Sequence, residues 1–472
     1  MNTFFQSLFK QVDASSLAVL RIGFGALLIF NSVNNLALCP TCRYLEPDML
    51  FKYHHFEWVL AWPGIGLWVH WSILLVCSVA ITFGYRYRLA MFIYTIGFTY
   101  NFLLDQALYL NHYYMVILFC VIMLFVPAHC KWSIDARRDE NIASKTVPRW
   151  AILVLLLQLE IILIYAGIVK LNADWLNLEP LRMWMQALRP VFPPFFTQIT
   201  GDAGIALGAY GAIALHLLGA PLLFFRKARP WVLAAYAVFH LINHTVFNIG
   251  IFPWFTLFAS LLFFDPDWPL QVRDKFSRNK SRNVQQTIEP DTERHSIPAT
   301  TTAVNQLSSI TAKQVFVVTA MTVWLGSQII IPMRNWFYPG NVAWTEDGHR
   351  FSWRMKLRSK RGIAVFSVHA DGKKWIVHPK EHLNAKQQRK MPCIPDMVWQ
   401  FGQFLEKEWE DKGYQDVSVT VDSRCSLNGR DLQTFFKPGT DLTSLSRDEL
   451  AVNWLEPLRQ PRKNPLWTLS EG

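Results

Sequence analysis

Residues 150–171 read WAILVLLLQLEIILIYAGIVKL, with Glu160 and Lys170 as the only charged side chains. A helix needs about 20 mostly apolar residues to cross a bilayer core, and this run has that length. Working outward, comparable runs lie at 15–36, 67–84, 89–104, 113–127, 203–225, 231–247, 250–265 and 313–331; those at 89–104, 113–127 and 250–265 are short. Composition agrees. The 472 residues are 51% hydrophobic and 17% charged, against roughly 25% charged in an average soluble domain. The 20 Trp, 34 Phe and 14 Tyr suit membrane interfaces. A disordered chain is excluded, and a soluble multidomain enzyme is disfavoured. The start, Met1 to Ser16, lacks the basic region and cleavage site of a signal peptide. The expected fold is a membrane all-α domain of about nine transmembrane helices followed by a small extracytoplasmic α+β or β-rich domain.

Charge sets the expected orientation. With nine spans and the N-terminus inside, the inner segments carry 17 basic residues, among them Arg137, Arg138, Arg226, Lys227 and Arg273. The short outer loops carry four: Arg43, Lys52, Arg182 and Arg189. That asymmetry follows the positive-inside rule. It also accounts for the net charge of +11 through contact with an anionic inner leaflet, without nucleic acid. The expected organisation is a polytopic domain over 1–265, a flexible cytoplasmic linker over 266–312, a final span over 313–332 and an extracytoplasmic α+β domain over 333–472. The last faces outward from a bacterial plasma membrane, or into the ER lumen in a eukaryote. Within it, Phe351–Leu357, Ile363–His369, Trp375–Val377 and Val417–Val421 read as strands. Residues 395–411 read as a helix with Pro395 at its start and Gly413 after its end.

Signatures of soluble enzymes are absent: no Gly-rich dinucleotide or phosphate loop, no GxSxG, no HExxH. Seven scattered cysteines do not suggest a disulfide framework. The CxxC pair Cys39 and Cys42 lacks a second pair for structural zinc, and recruitment of His54 and His55 is the weaker reading. A local disulfide or free thiols fit better, and no metal is expected. Polar groups at membrane depth remain, and these are costly enough to be functional candidates. Three clusters stand out: Asp105–His112, Tyr165–Trp175, and Phe239–His244, with Arg21 and Glu160 also inside spans. On the orientation above, the three clusters and the C-terminal domain share one side. Each has a bland alternative. Lys170 could snorkel to the headgroups or pair with Asp174 at i+4, and the histidines could cap helices or bond between them.

The runs YAGIVKLNADW (165–175), DQALYLNHYY (105–114) and FHLINHTVFNIGIFPWF (239–255) resemble the vitamin K-dependent γ-glutamyl carboxylases, within the horizontally transferred transmembrane (HTTM) domain group. The likeness continues through IPMRNWFYPGNVAWTEDGHRFSWRMKLRSK (331–360), SLNGRDLQTFFKPGTDL (426–442) and NWLEPL (453–458). The resemblance implies a membrane lyase with two coupled steps. Reduced vitamin K is oxygenated by O2 to its epoxide, and a glutamate side chain of a protein or peptide loses its γ-proton and adds CO2. It implies Lys170 as the catalytic base, which physical chemistry supports, because an apolar surround disfavours the charged form of lysine. It implies His112 in positioning or polarising CO2, and Asn111, His240 and Asp174 as supports of the quinone pocket. It implies Trp353, Arg354, Arg358 and Lys360 in glutamate binding, since an anionic substrate needs cations. The chain departs from the family at Val169, where a lysine is usual, at Arg354, which falls on an acidic position, and at Lys360, which falls on an arginine position. Epoxidation is therefore the firmer expectation. A quinol-epoxidising oxidase without protein carboxylation, and a non-catalytic binding or transport module, stay open; Lys170 and His112 argue against the module.

Topology is directly testable. A reporter fused after Gly472 is expected to be active outside the cytoplasm, and one within 266–312 inside it. Cytoplasmic activity of the Gly472 fusion would overturn both the orientation and the shared face.

Overall fold

The computed structural model describes residues 2–188, 190, 200–247, 250–282 and 311–460. Each of the nine apolar runs lies in a helix. These are α1 (Ser15–Ala37), α2 (Gly66–Phe83), α3 (Tyr87–Leu103), α4 (Asn111–Phe125), α5 (Trp150–Ile168), α6 (Asp202–Ala214), α7 (Arg229–Phe247), α8 (Phe252–Ser260) and, after α9 (Trp268–Arg282), α10 (Ala312–Met333). Among the described residues, five helices are long and apolar enough to cross a membrane: Ser15–Ala37, Gly66–Phe83, Trp150–Ile168, Asp202–Leu222 and Ala312–Trp336. Helix α3 has 17 residues and α4 has 15, both short of a full span. Helix α7 has 19 but is diluted by Arg229, His240, Asn243 and His244. Length and apolarity therefore mark five candidate crossings, and a count of nine also needs the shorter helices. The expected linker is partly structured, since 268–282 is α9; residues 283–310 and 461–472 lie outside the described residues.

Strand β1 (Gln11–Asp13) pairs antiparallel with β2 (Thr146–Pro148), tying the start of α1 to the start of α5. Arg21, a candidate by its depth, is structural. Its guanidinium donates to the carbonyls of Ile81 (3.2 Å) and Thr82 (3.0 Å) in the last turn of α2 and to that of Trp132 (2.6 Å), joining the helix end to a neighbouring loop. Gly84 makes room for it: a Cβ there would lie 2.2 Å from Arg21 Nη1, and its φ of +63° already favours glycine.

The C-terminal region carries a four-stranded antiparallel sheet in the order β4 (Lys373–Val377), β3 (Lys360–Ala370), β5 (Ser418–Leu427), β6 (Gln433–Thr434). Ala364, Phe366, Val368 and Ala370 alternate inward along β3. They face α11 (Pro395–Asp411), whose Met397, Val398, Phe401 and Leu405 recur at helical spacing. The helix opens on Pro395 and is followed by Gly413 at φ +92°, as the spacing predicted. A disulfide joins Cys393, just before α11, to Cys425 in β5. This corrects the expectation of no disulfide framework: the partners are 32 residues apart and meet only once helix and sheet pack. Cys39 and Cys42 are also bonded. His54 binds Asp448 (2.9 Å) instead of joining them, so the zinc reading fails.

Phe351–Leu357 is not a strand. Phe351, Trp353 and Lys356 have φ of +62°, +54° and +53°, which extended backbone does not allow. The alternation that suggested a strand has another cause: Phe351, Trp353 and Met355 plug the end of the helical bundle. Phe351 packs among Tyr53, Phe102, Tyr109 and Tyr114, and its N–H donates to Tyr109 Oη (2.8 Å). Trp353 is 0% exposed and lies 5.1 Å from Tyr114, inside the bundle's own core. Trp353→Ala should therefore cost about 3–5 kcal/mol, read as a lowered unfolding temperature of the purified chain, whereas Trp336→Ala, 51% exposed, should cost little. Equal small shifts in the two variants would show that the plug does not hold the two parts together.

Candidate active site

Helix α5 ends in a tightened turn, with the Lys170 N–H on Gly167 O (3.0 Å) and the Leu171 N–H on Ile168 O (2.9 Å). Asn172 then opens the short helix Ala173–Leu176, its side chain accepting from Trp175 N–H (3.1 Å) and donating to Val169 O (2.8 Å). This reversal turns Lys170 back into the protein, where it is 5% exposed. Its Nζ donates to Ala166 O (2.5 Å) and lies 5.4 Å from the Trp175 ring, which is itself fixed by Nε1 donating to Ala209 O (3.0 Å). No carboxylate ion-pairs with Lys170 among the described residues. Asp174 is bonded elsewhere, to Arg430 Nη2 (2.6 Å) and Asn428 Nδ2 (2.7 Å) of the C-terminal region. The bland i+4 pairing is thus not what holds Lys170.

Against this turn packs a residue the sequence reading passed over. After α6 the helix widens into a π turn, Leu215–Gly219, which carries His216. Such turns recur at functional sites. Gly167 allows the approach, since a Cβ there would be 3.0 Å from His216 Cβ. His216 Nδ1 lies 2.6 Å from Ala212 O. A carbonyl only accepts, so Nδ1 carries the hydrogen and Nε2 keeps the lone pair in the neutral ring. The criterion that singled out Lys170, a polar group at depth, would have found His216 too.

Tyr236 and Phe239 link His216 to His240, with ring separations of 5.8 and 5.1 Å from His216 and 5.9 and 5.3 Å from His240. His240 is buried, faces Phe252 at 5.8 Å, and neither ring nitrogen has a hydrogen-bond partner among the described residues. Asn111 and His112 form a second cluster at the start of α4. The Tyr109 hydroxyl donates to Asn111 Oδ1 (2.9 Å), and His112 lies against the edge of Tyr113 and beside Gly250. The segment from Gly250 to Phe252 runs between the clusters. The structure thus packs His216 against the Lys170 turn, links His216 to His240 through two aromatic rings, and places Asn111 and His112 in a second cluster beside Gly250.

The four candidates from the C-terminal region separate. Trp353 is the plug. Arg354 donates to Asn335 Oδ1 (3.2 Å) and faces a cavity of about 190 Å3, shared with Asn172, Asp174 and Asn341. That cavity borders the loop after Lys170. Arg358 and Lys360 both pair with Glu346, Lys360 at 2.8 Å, and Lys360 also donates to Trp344 O (2.8 Å).

Residues 9–268, more than half the chain, match the family model of the HTTM domain, and residues 313–461 match that of the vitamin K-dependent gamma-carboxylase lumenal domain. The protein belongs to the vitamin K-dependent gamma-carboxylase family. No solved structure matches the chain. The family implies reduced vitamin K, and the residues fit a flat, partly polar ring system: the two unpartnered nitrogens of His240 sit among Tyr236, Phe239 and Phe252. A lumenal domain in this family also agrees with a C-terminal region outside the cytoplasm.

Electrostatics in that region predict a pH response. Burial holds His349 well below the ordinary histidine range, and Arg354, Arg350, Lys360 and Lys390 add to the effect. Below about pH 6.5 the unfolded chain takes up a proton that folded His349 refuses. Stability should therefore fall as pH drops through that range, by at most about 1.4 kcal/mol per pH unit. Burial raises Asp105 to about 6, which acts in the opposite sense below pH 6, so the readout is a difference between proteins. His349→Gln should lose less stability than wild type between pH 7 and pH 5 in thermal unfolding. Parallel profiles would remove His349 from the account.

Proposed function

We propose that the protein is a vitamin K hydroquinone-dependent γ-glutamyl carboxylase of a multi-pass membrane, coupling quinol epoxidation by O2 to CO2 addition at glutamate side chains. The supporting observation is Lys170: a lysine buried at a helix end, without a carboxylate, beside a histidine whose Nε2 is available. An ammonium so placed is poorly compensated, and a neutral amine there can take a proton. Tyr236, Phe239, Phe252 and His240 would hold the quinone ring within reach, with Asn111, His112 and Asp174 around the same end of the bundle. Reduced vitamin K supplies, when bound, an acidic hydroxyl and the electrons that reduce O2. His112 would orient or polarise CO2. Arg354, facing a cavity beside the Lys170 loop that Asn172 and Asn341 also line, is the best placed of the four candidate cations and aromatics to receive the glutamate carboxylate. The C-terminal domain lies on the extracytoplasmic side in this reading, over a nine-helix membrane domain.

A second reading has an observation in its favour. Glu346 already engages Arg358 and Lys360, so two of the proposed glutamate-binding cations share an internal carboxylate. An oxidase that epoxidises a quinol without carboxylating protein needs only the bundle.

Both readings meet one experiment: epoxide formation and 14C-labelled CO2 incorporation measured side by side on purified protein in lipid. Lys170→Ala should lower both products by about 100- to 10,000-fold, the usual cost of losing a general base. Small amines should partly restore them, and Lys170→Arg should not, because a guanidinium stays protonated. Normal epoxide output from Lys170→Ala would make Lys170 structural. Wild-type epoxide without CO2 fixation into any glutamyl peptide would decide for the oxidase.

A further inference from the structure

The proposed reaction leaves Cys39 and Cys42 unused. They are bonded to each other in the connection between α1 and α2, and both are half-buried. The other disulfide, Cys393–Cys425, is 3% and 0% exposed and joins residues 32 apart. Cys39 and Cys42 are only 3 apart, so their bond closes a minimal loop and removes little freedom from the unfolded chain. A solvent-reachable bond that contributes little stability has the profile of an exchangeable disulfide. Its surroundings are asymmetric. Cys39 Sγ accepts the N–H of Cys42 (3.3 Å) and lies 3.4 Å from the Thr41 hydroxyl, whereas Cys42 Sγ has no such donor among the described residues. Both donors favour negative charge on the Cys39 sulfur, which makes Cys39 the better leaving group.

We infer that Cys39–Cys42 is a thiol–disulfide exchange site for an external dithiol. The incoming thiolate bonds to Cys42 Sγ, and the Cys39–Cys42 bond breaks with its electron pair on Cys39. The second thiol of the partner then attacks its own mixed-disulfide sulfur and releases Cys42. Two partner thiols lose two electrons and two protons, which reappear as the thiols of Cys39 and Cys42. The site lies on the seam between bundle and C-terminal region. Within five residues, Tyr44 Oη donates to Asn101 Oδ1 (3.0 Å), and Arg43 O accepts from Asn384 Nδ2 (3.4 Å). Asp48 holds His382 through its backbone N–H and its carboxylate, both at 2.9 Å. The redox state of the pair therefore bears on a segment to which the C-terminal region is fastened.

The test uses the full-length protein in lipid, with graded ratios of reduced to oxidised dithiothreitol as the dithiol probe. Quenching, alkylation and peptide mass analysis read each cysteine. Cys39 and Cys42 should reduce in the native protein at ratios where Cys393 and Cys425 stay at least about tenfold less labelled. Glutathione, a monothiol that stops at the mixed disulfide, should be found on Cys42 in preference to Cys39. A Cys39–Cys42 bond that resists dithiothreitol until the chain is unfolded would overturn the inference, and glutathione mainly on Cys39 would overturn the assigned direction of attack. Neither readout uses enzymatic activity, so the outcome is separate from the fate of the Lys170 reading.

Discussion

Polar groups inside an apolar bundle have no water to turn to, and each must find its partner within the protein. The structure meets that constraint to very different degrees, and the differences sort architecture from chemistry. Arg21 has two carbonyls at one helix end, a third from a neighbouring loop, and a glycine that leaves it space. Both of its terminal nitrogens are committed to the backbone, and its Nε alone is without a partner among the described residues. Lys170 has one carbonyl and an indole face. Among the described residues, His240 has no hydrogen-bond partner at either nitrogen, and Glu160 has none at either carboxyl oxygen. Lys170, His240 and Glu160, with His216, lie on or at the end of α5, on the π turn after α6 and on α7.

The C-terminal region completes that arrangement instead of sitting apart from it. Its fastenings to the bundle fall next to the candidate residues. Asp174, four residues after Lys170, is held by Arg430 and Asn428. The Tyr109 hydroxyl joins Asn111 to the backbone of Phe351. Asp105 accepts from Gln387 (3.1 Å), and Lys390 donates to Ala107 O (2.6 Å). A shift of this region would thus be felt at both the Lys170 loop and the start of α4, through bonds that are short and at least partly buried.

The features legible in the sequence were those written in one local period. Nine apolar runs became helices, and Pro395–Asp411 was read to its ends, because burial at 3.6-residue spacing and terminal Pro and Gly signals need no knowledge of partners. Phe351–Leu357 misled for the converse reason. Its alternation is real, but it records an irregular segment inserted between two surfaces, and only the positive φ values distinguish it from a strand. Cys393–Cys425 was illegible because nothing local couples two cysteines 32 residues apart. His216 was legible in type but hidden in an otherwise apolar span. Its importance comes from the π turn and from Gly167, neither of which leaves a sequence signature. The number of membrane crossings is intermediate: helices were readable, but helices of 15 and 17 residues do not declare whether they span.

The pairing of Glu346 with Arg358 and Lys360 bears on how a glutamate could be recognised at all. A carboxylate held by a guanidinium and an ammonium in a half-enclosed setting is the contact a substrate glutamate would seek, and here the chain's own side chain makes it. Glu346 is nearly buried and receives both cations on one oxygen, so a substrate would have to displace a preorganised internal ligand to use them. Arg354 differs. Its recorded partner is the neutral amide of Asn335, its Nε is unpaired, and it faces a cavity floored by Asn172 and Asp174 of the Lys170 loop. On the proposed carboxylase reading, a carboxylate entering there would meet a cation that pairs with no acid among the described residues, next to the Lys170 loop. Under that reading, the contrast favours Arg354 over Arg358 and Lys360 as the cation for a glutamate, although Arg354 is the one whose identity departs most from the family pattern.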